Sequence, residues 1–425
     1  MEALVSHGKV DVLIHSLLVA EAWRERVFPL LREHLARRVD SAISWSLLFH
    51  ETALANLLEV ALFHRCACEA ASEDMLLELA DWAYRKLTYL NTDAHKHSAD
   101  TAKDRSARQL LDLGPEEHLD EQLGEVTWGA GMCGLTIMRY LAEHLGSLPL
   151  GVMARLVSAN DTIMALMPLV AQPPWARTHK GKMERYIQGY WQVVEPADRL
   201  QLALPDAQVW LALHNLLLEP ACRAKYDPDE YRREALQKLR RHMHEPLLDQ
   251  LPVLKDLQRL LDEMAVGADS GAHDTRLGSS GDGADQGISY RAGGGGARNG
   301  RQAAHLILEQ VPTAREAITR GRDWPALAAH IRERWLGDEA RRLARKRAEH
   351  MLKSFEFMCS LEPEGKQRGS RSCSQDGLAL QLRLKRAAKP VERDPVAGVW
   401  YVYHPVGGAI TMRVKQADRV GGGGV

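Results

Sequence analysis

Apolar residues recur every three or four positions through most of the first 265 residues. Between Glu51 and Arg65, Leu54, Leu57, Leu58, Ala61 and Leu62 fall at i, i+3, i+4, i+7 and i+8, one stripe of a 3.6-residue period. Met75 to Leu90 repeats the pattern with Leu76, Leu79, Ala80, Ala83, Leu87 and Leu90. A further helix opens at Asp206, an N-cap after Pro205, and runs to Glu219 ahead of Pro220. Its apolar side carries Val209, Trp210, Leu213, Leu216 and Leu217. Another stripe, Leu254, Leu257, Leu261 and Met264, begins after Pro252. Trp23, Trp82 and Trp210 sit on such stripes, which makes them core anchors. Alternating strand patterns are scarce here. No such helix buries its stripe alone, so the helices stack. The pattern predicts an all-α fold, an armadillo-like or irregular helical-repeat scaffold. No fixed sequence period marks the repeat.

The scaffold is expected over 1–266, followed by a linker over 267–303. In Gly267 to Gly300, 11 of 34 residues are glycine and apolar content collapses, so burial cannot offset the entropy of ordering. That stretch reads as a flexible, disordered linker. Periodicity resumes at His305 in a C-terminal helical segment, 304–358. One long basic helix is expected from Asp323 to Phe357, with Leu336, Leu343, Met351, Leu352 and Phe355 on its apolar side. After Pro363 helical logic ends. The tail over 359–425 is irregular, with strand-like Val399–Tyr403 and Ile410–Val414 and at most a weak hairpin.

Charge and cysteine usage narrow the function. Lys plus Arg number 55 against 56 Asp plus Glu, a net charge of -1, which argues against a chain-wide footprint for nucleic acid. Six cysteines in 425 residues are too few for a disulfide scaffold and fit a reduced compartment. The apolar run Val10 to Ala22 is interrupted by Asp11, His15 and Glu21, too short and polar to span a bilayer. The expected address is the cytoplasm, with no membrane or nucleic-acid partner.

Several motifs invite a chemical reading. GAGMCG, Gly129 to Gly134, matches the dinucleotide fingerprint and would make the chain a nucleotide-cofactor-dependent enzyme. That site needs a buried strand before it and an acidic residue about 20 positions on. Only Val126, Thr127 and Trp128 precede it, and the next aspartate is Asp161. A glycine-interrupted helix is the better expectation. His64, Cys66 and Cys68 lie close in sequence, but helical positions two apart diverge, and zinc wants four converging donors. His95 and His97 stand in a polar turn, and His242 and His244 flank Met243; all read as solvated. The basic run Arg332 to Arg347 reads as a solvated helix face, with binding of an acidic partner as the rival. No catalytic residue, cofactor-binding residue or metal ligand is assigned, and a non-enzyme is expected. Pro174–Trp175, Arg177, Gly181–Lys182 and Trp191 occupy a long polar connection. An aromatic and basic loop on a helical scaffold suits partner contact as well as self-packing, and Trp175 and Arg177 are the candidate partner-binding residues.

Longer blocks carry a family resemblance. LVSHGKVDVLIHSLLVAEAWRERVFP (Leu4 to Pro29), FHETALANLLEVALFH (Phe49 to His64) and YRKLTYL (Tyr84 to Leu90) open the series. PPWARTHKGKMERY (Pro173 to Tyr186), QVWLALHNLLLEP (Gln208 to Pro220), LLDQLPVLKDLQRLL (Leu247 to Leu261) and LILEQVP (Leu306 to Pro312) follow in order. Together they resemble the axonemal dynein assembly factors that end in a MYND zinc finger, the tenth of the MYND-domain-containing proteins. The resemblance implies a cytoplasmic co-chaperone, near the ciliary base, for preassembly of dynein arms in cilia and flagella. Implied partners are a ciliary leucine-rich-repeat assembly factor, an immunophilin co-chaperone, the ninety-kilodalton heat-shock chaperone and dynein chains. It also implies zinc, since a MYND finger holds two ions through seven cysteines and one histidine. Here the corresponding region has only Cys359 and Cys373, so the finger is not intact and no cofactor is expected in the chain as it stands.

Overall fold

The computed structural model describes residues 2–37, 42–92, 114–187, 190–226, 228–273, 311–337, 342, 346, 399–403 and 410–414. Its helices begin and end where local chemistry directs. Glu2–Ser6 (α1) leads into Val10–Arg26 (α2), Phe28–Ala36 (α3), Ala42–Leu62 (α4), Arg65–Glu69 (α5) and Glu73–Leu90 (α6). Acidic Glu73 and Asp74 open α6, favourable at a positive helix end. Pro115–His144 (α7) is the longest of these; Pro115 stands in its first turn and the Glu117 carboxylate accepts from the Gly114 amide at 3.3 Å.

Helix α7 is the hub. It packs against α4, α6 and α3, and against Leu204–Leu218 (α10). Between α7 and α10 lie Leu150–Ala154 (α8), a π-helical turn at Arg155–Ala159, and Thr162–Ala171 (α9). The Asp81 carboxylate accepts two hydrogen bonds from Arg155, both 2.7 Å, and one from Asn160 at 3.0 Å, which ties that turn to α6. Beyond α10 come Pro220–Lys225 (α11), Glu230–Leu239 (α12), Glu245–Gln250 (α13) and Leu254–His273 (α14). Two short helices return to the N-terminal region: Ala314–Thr319 (α15) on α2 and α6, and Trp324–Leu336 (α16) on α3. The main core runs from Val10 through Ile318, and a smaller one joins Val27, Phe28, Leu31 and Leu35 to Ala328 and Leu336.

The chain is predominantly helical, as its periodicity predicts. Packing around one central helix favours the irregular scaffold over a nearest-neighbour array. Trp82 and Trp210 are buried as expected, and Trp23 packs half-buried on the smaller core. Four expectations need correction. Helix α10 starts at Leu204, so Asp206 lies inside its first turn, where its carboxylate accepts from the Ala203 amide at 2.9 Å. Leu57 is exposed on α4, and Glu51 takes a place on the inner face instead. Helix α14 continues to His273, past the expected linker start at Gly267; the rest of the linker lies outside the described residues. The expected helix from Asp323 is interrupted at Gly337, which turns to extended backbone (ψ 176°); Arg342 and Lys346 are helical again, and Leu343, Met351, Leu352 and Phe355 lie outside the described residues.

A sheet was not anticipated in the scaffold. Ala176–His179 (β1), Lys182–Ile187 (β2) and Tyr190–Val193 (β3) form an antiparallel sheet in the order β1-β2-β3. Lys180 (φ 48°) and Gly181 (φ 73°) are both left-handed between the paired residues His179 and Lys182, the two-residue hairpin turn that matches strand twist. In the tail, Val399–Tyr403 (β4) and Ile410–Val414 (β5) pair antiparallel, as their pattern suggests.

Candidate partner-binding site

The polar connection singled out in the sequence is this sheet. Alternation puts Trp175, Arg177, Glu184, Tyr186 and Trp191 on one face, since Arg177 pairs with Glu184 and Tyr186 with Trp191. Trp128 of α7 meets Tyr186 edge-on at 5.4 Å, and Tyr186 meets Trp191 at 5.6 Å. The Arg177 guanidinium lies 4.2 Å from the Trp191 ring centroid and donates to the Glu184 carboxylate at 2.8 Å. Trp175 has no exposed surface, and its indole N–H donates to Asp206 at 2.6 Å. The two candidate residues are therefore brought onto one face by the same ladder, but differ in access. Any partner contact at this hairpin must be made by the neighbours of Trp175, whose side chain is the anchor of the sheet. Arg177 is half-buried at the rim.

Sequence periodicity missed a second constellation, inside the scaffold. Glu21 of α2, Glu51 of α4, and Glu78 and Lys86 of α6 are each at most 3% exposed. Lys86 Nζ donates to Glu51 at 2.6 Å and to Glu21 at 3.3 Å. Arg85 forks onto Glu21 at 2.5 and 3.1 Å, and Arg24 donates to Glu51 at 2.5 Å. Burial alone would raise the Glu21 carboxyl, but Lys86 and Arg85 outweigh it and hold it below the ordinary value. Burial likewise opposes ionisation of Glu51, yet Lys86 and Arg24 bring its pKa down to about 2. Arg315 of α15 completes the group, reaching Glu21 at 3.3 Å and Glu25 at 2.6 Å. Charged residues on an apolar stripe were the available signal; Glu51 interrupts the stripe of α4, and Glu78 and Lys86 sit beside that of α6.

The remaining motifs resolve simply. Gly129 to Gly134 lie within unbroken helix α7, with no strand before them, so the dinucleotide geometry is absent. A Cβ at Gly131 would lie 3.1 Å from Leu90, and one at Gly134 would lie 2.5 Å from Lys86 Cβ. These glycines admit α6 against α7. Cys66 is exposed and Cys68 buried, so they diverge, and burial pushes the Cys68 thiol up to about 12. His244 accepts from the Leu247 amide at 3.2 Å and caps α13. Arg332 and Arg334 are exposed on α16. Among the described residues, no three His, Cys, Asp or Glu side chains form a group that could hold a metal ion, and no single helix is long and apolar enough to cross a membrane. His95, His97, Cys359 and Cys373 lie outside the described residues.

No family model matches the chain, and no solved structure matches it. A comparison with curated proteins does. Over 267 residues the chain is 29% identical to a zinc finger MYND domain-containing protein 10 homolog of Drosophila melanogaster. The resemblance to the tenth MYND-domain-containing protein holds. The match covers 62% of this chain and 57% of that relative. That relative is named for a zinc finger. Residues 359–425 here supply Cys359, Cys373 and one histidine, His404, a donor set that does not fit a two-zinc MYND finger.

Proposed function

We propose that this chain is a cytoplasmic assembly factor that helps fold axonemal dynein chains before they enter cilia or flagella. The observation that carries the reading is the ordered series of blocks from Leu4 to Pro312, supported by the similarity to a MYND domain-containing protein 10 homolog. The architecture suits the role. A helical hub bearing an aromatic-braced sheet offers surface for clients and co-chaperones.

On this reading the partners are the leucine-rich-repeat assembly factor, the immunophilin co-chaperone, the heat-shock chaperone and dynein heavy and intermediate chains. Arg177 and its neighbours on β1 to β3 are the first contact to test. On this reading partner recognition falls to the helical scaffold, since residues 359–425 hold too few thiols to close a MYND finger.

The test is removal of the gene in a ciliated cell, followed by electron microscopy of axoneme cross-sections. Loss of outer and inner dynein arms, restored by the full chain, is the expected result. Normal arms in the knockout would defeat the reading.

A further inference from the structure

Helices α15 and α16 touch the N-terminal region through a narrow set of contacts. Arg315 is the polar one. Its backbone amide donates to Glu78 Oε1 at 2.8 Å, its Nε to Glu21 at 3.3 Å and its Nη2 to Glu25 at 2.6 Å. Glu78 is 2% exposed, and this amide is the hydrogen bond recorded for its carboxylate among the described residues. The apolar contacts are Ile318 on the main core, then Trp324, Leu327, Ala328, Ile331 and Leu336 on the smaller one. Between them stands Gly321 at φ 68°, a joint that only glycine adopts without strain.

Together α15 and α16 make a strap. It covers the face of α3 that presents Phe28, Leu31 and Leu35. It is short, and its charged anchor is still 31% exposed to water. Most of the neighbouring cluster is internally satisfied without it: Arg85 and Lys86 serve Glu21, and Lys86 and Arg24 serve Glu51. The carboxylates of Glu78 and Glu25 are the ones that depend on the strap. They call for a ligand of particular chemistry: a helix N-terminus offering a free amide, with an arginine in its first turn and apolar residues at i+3 spacing beyond. The strap itself meets that description.

We propose that residues 314–336 are a releasable strap latched by Arg315, and that the face beneath receives an arginine-led amphipathic helix from a protein partner when the strap opens. The resident segment is the template for that partner, and the negative socket at Glu21, Glu25 and Glu78 selects it by charge. Opening at Gly321 and at Arg315 uncovers α3 and leaves in place the contacts that α7 makes with α4, α6 and α10.

The test uses the full chain and Arg315→Glu, followed by hydrogen exchange and peptide binding. In the variant, amides of 314–336 and 28–36 should exchange about tenfold faster, while those of 126–142 keep the wild-type rate. A labelled peptide spanning residues 311–337 should bind the variant and be excluded from the wild type, and the same peptide carrying Arg315→Glu should bind neither. Arg315→Lys should fall between the two in exchange. Unchanged exchange, or acceleration that spreads into 126–142, overturns the latch. A strap that opens yet captures no peptide overturns the partner face. These readouts concern the chain alone, so they separate from the dynein-arm experiment whichever way that falls.

Discussion

Lys86 crosses α7 at Gly134, so closely that a Cβ on the glycine would stand 2.5 Å from Lys86 Cβ. The same lysine places its ammonium 2.6 Å from Glu51 and 5.0 Å from the centre of the Trp82 ring. A residue type that resembled part of a nucleotide fingerprint is thus spent on letting a buried charge through. Gly134→Ala must push α6 and α7 apart or bend Lys86 away from Glu51. We expect a loss of roughly 1–3 kcal/mol in urea unfolding. Gly114→Ala, whose Cβ meets only the Glu117 carboxylate at 3.9 Å, should change stability far less.

Replacing Lys86 with methionine leaves buried Glu51 to Arg24 alone and Glu21 to its arginines. Removing one partner of a buried pair typically costs about 3–5 kcal/mol. Lys86→Met should therefore shift the denaturation midpoint strongly. Lys86→Met combined with Glu51→Gln should recover part of that loss, because the second change removes a buried charge that has lost one of its two cations. A double variant no more stable than Lys86→Met alone would show that the pair is uncoupled.

Acid sensitivity follows from Glu51. Its folded pKa of about 2 lies below the ordinary 4.5, so the stabilisation is full above 4.5 and is lost as pH falls towards 2. The shift corresponds to roughly 3 kcal/mol. Glu125 acts in the opposite sense. Burial, with Glu121 adding repulsion, raises it to about 7, so the folded state holds a proton that the unfolded state has lost between 4.5 and 7. Stability from this group declines as pH rises through that window. Unfolding midpoints between pH 3 and 8 should therefore fall steeply at the acid end, and Glu125→Gln should flatten the decline near neutrality.

The sheet should detach when its anchor is cut. Trp175→Ala removes a fully buried indole and its bond to Asp206, a loss of about 3–5 kcal/mol. Trp175→Phe, which keeps most of the apolar bulk, should cost about 1–3 kcal/mol. Arg177→Met, which gives up the stack on Trp191 and the Glu184 pair, should cost only about 1 kcal/mol. Amide exchange over 176–193 is the readout, with protection lost in that order.

The helical interior was legible because its stripes obey one period. Leu76, Leu79, Ala80, Ala83, Leu87 and Leu90 are all buried as the spacing requires. The ionic centre was not, because Glu51 and Lys86 read as surface positions until the partners arrive from four separate helices. The sheet was missed for a local reason. Its strands are 4 to 6 residues long and mix Arg, Lys and Glu with aromatics, so alternation hardly shows. The Lys180–Gly181 pair was the available turn signal. Trp175 and Arg177 share one face of the sheet, but spacing could not tell an interior anchor from a rim residue.

Arg315 meets Glu25 across 290 positions of sequence and Glu21 across 294. During synthesis, the helices that carry these glutamates emerge long before their last cation does. A ribosome must add 290 residues beyond Glu25 before the charge of this centre is balanced and the Glu78 carboxylate receives its amide. The nascent scaffold therefore waits with an acidic notch open. A message cut short just ahead of the Arg315 codon would release a protein whose helical hub is complete but whose notch stays permanently unfilled.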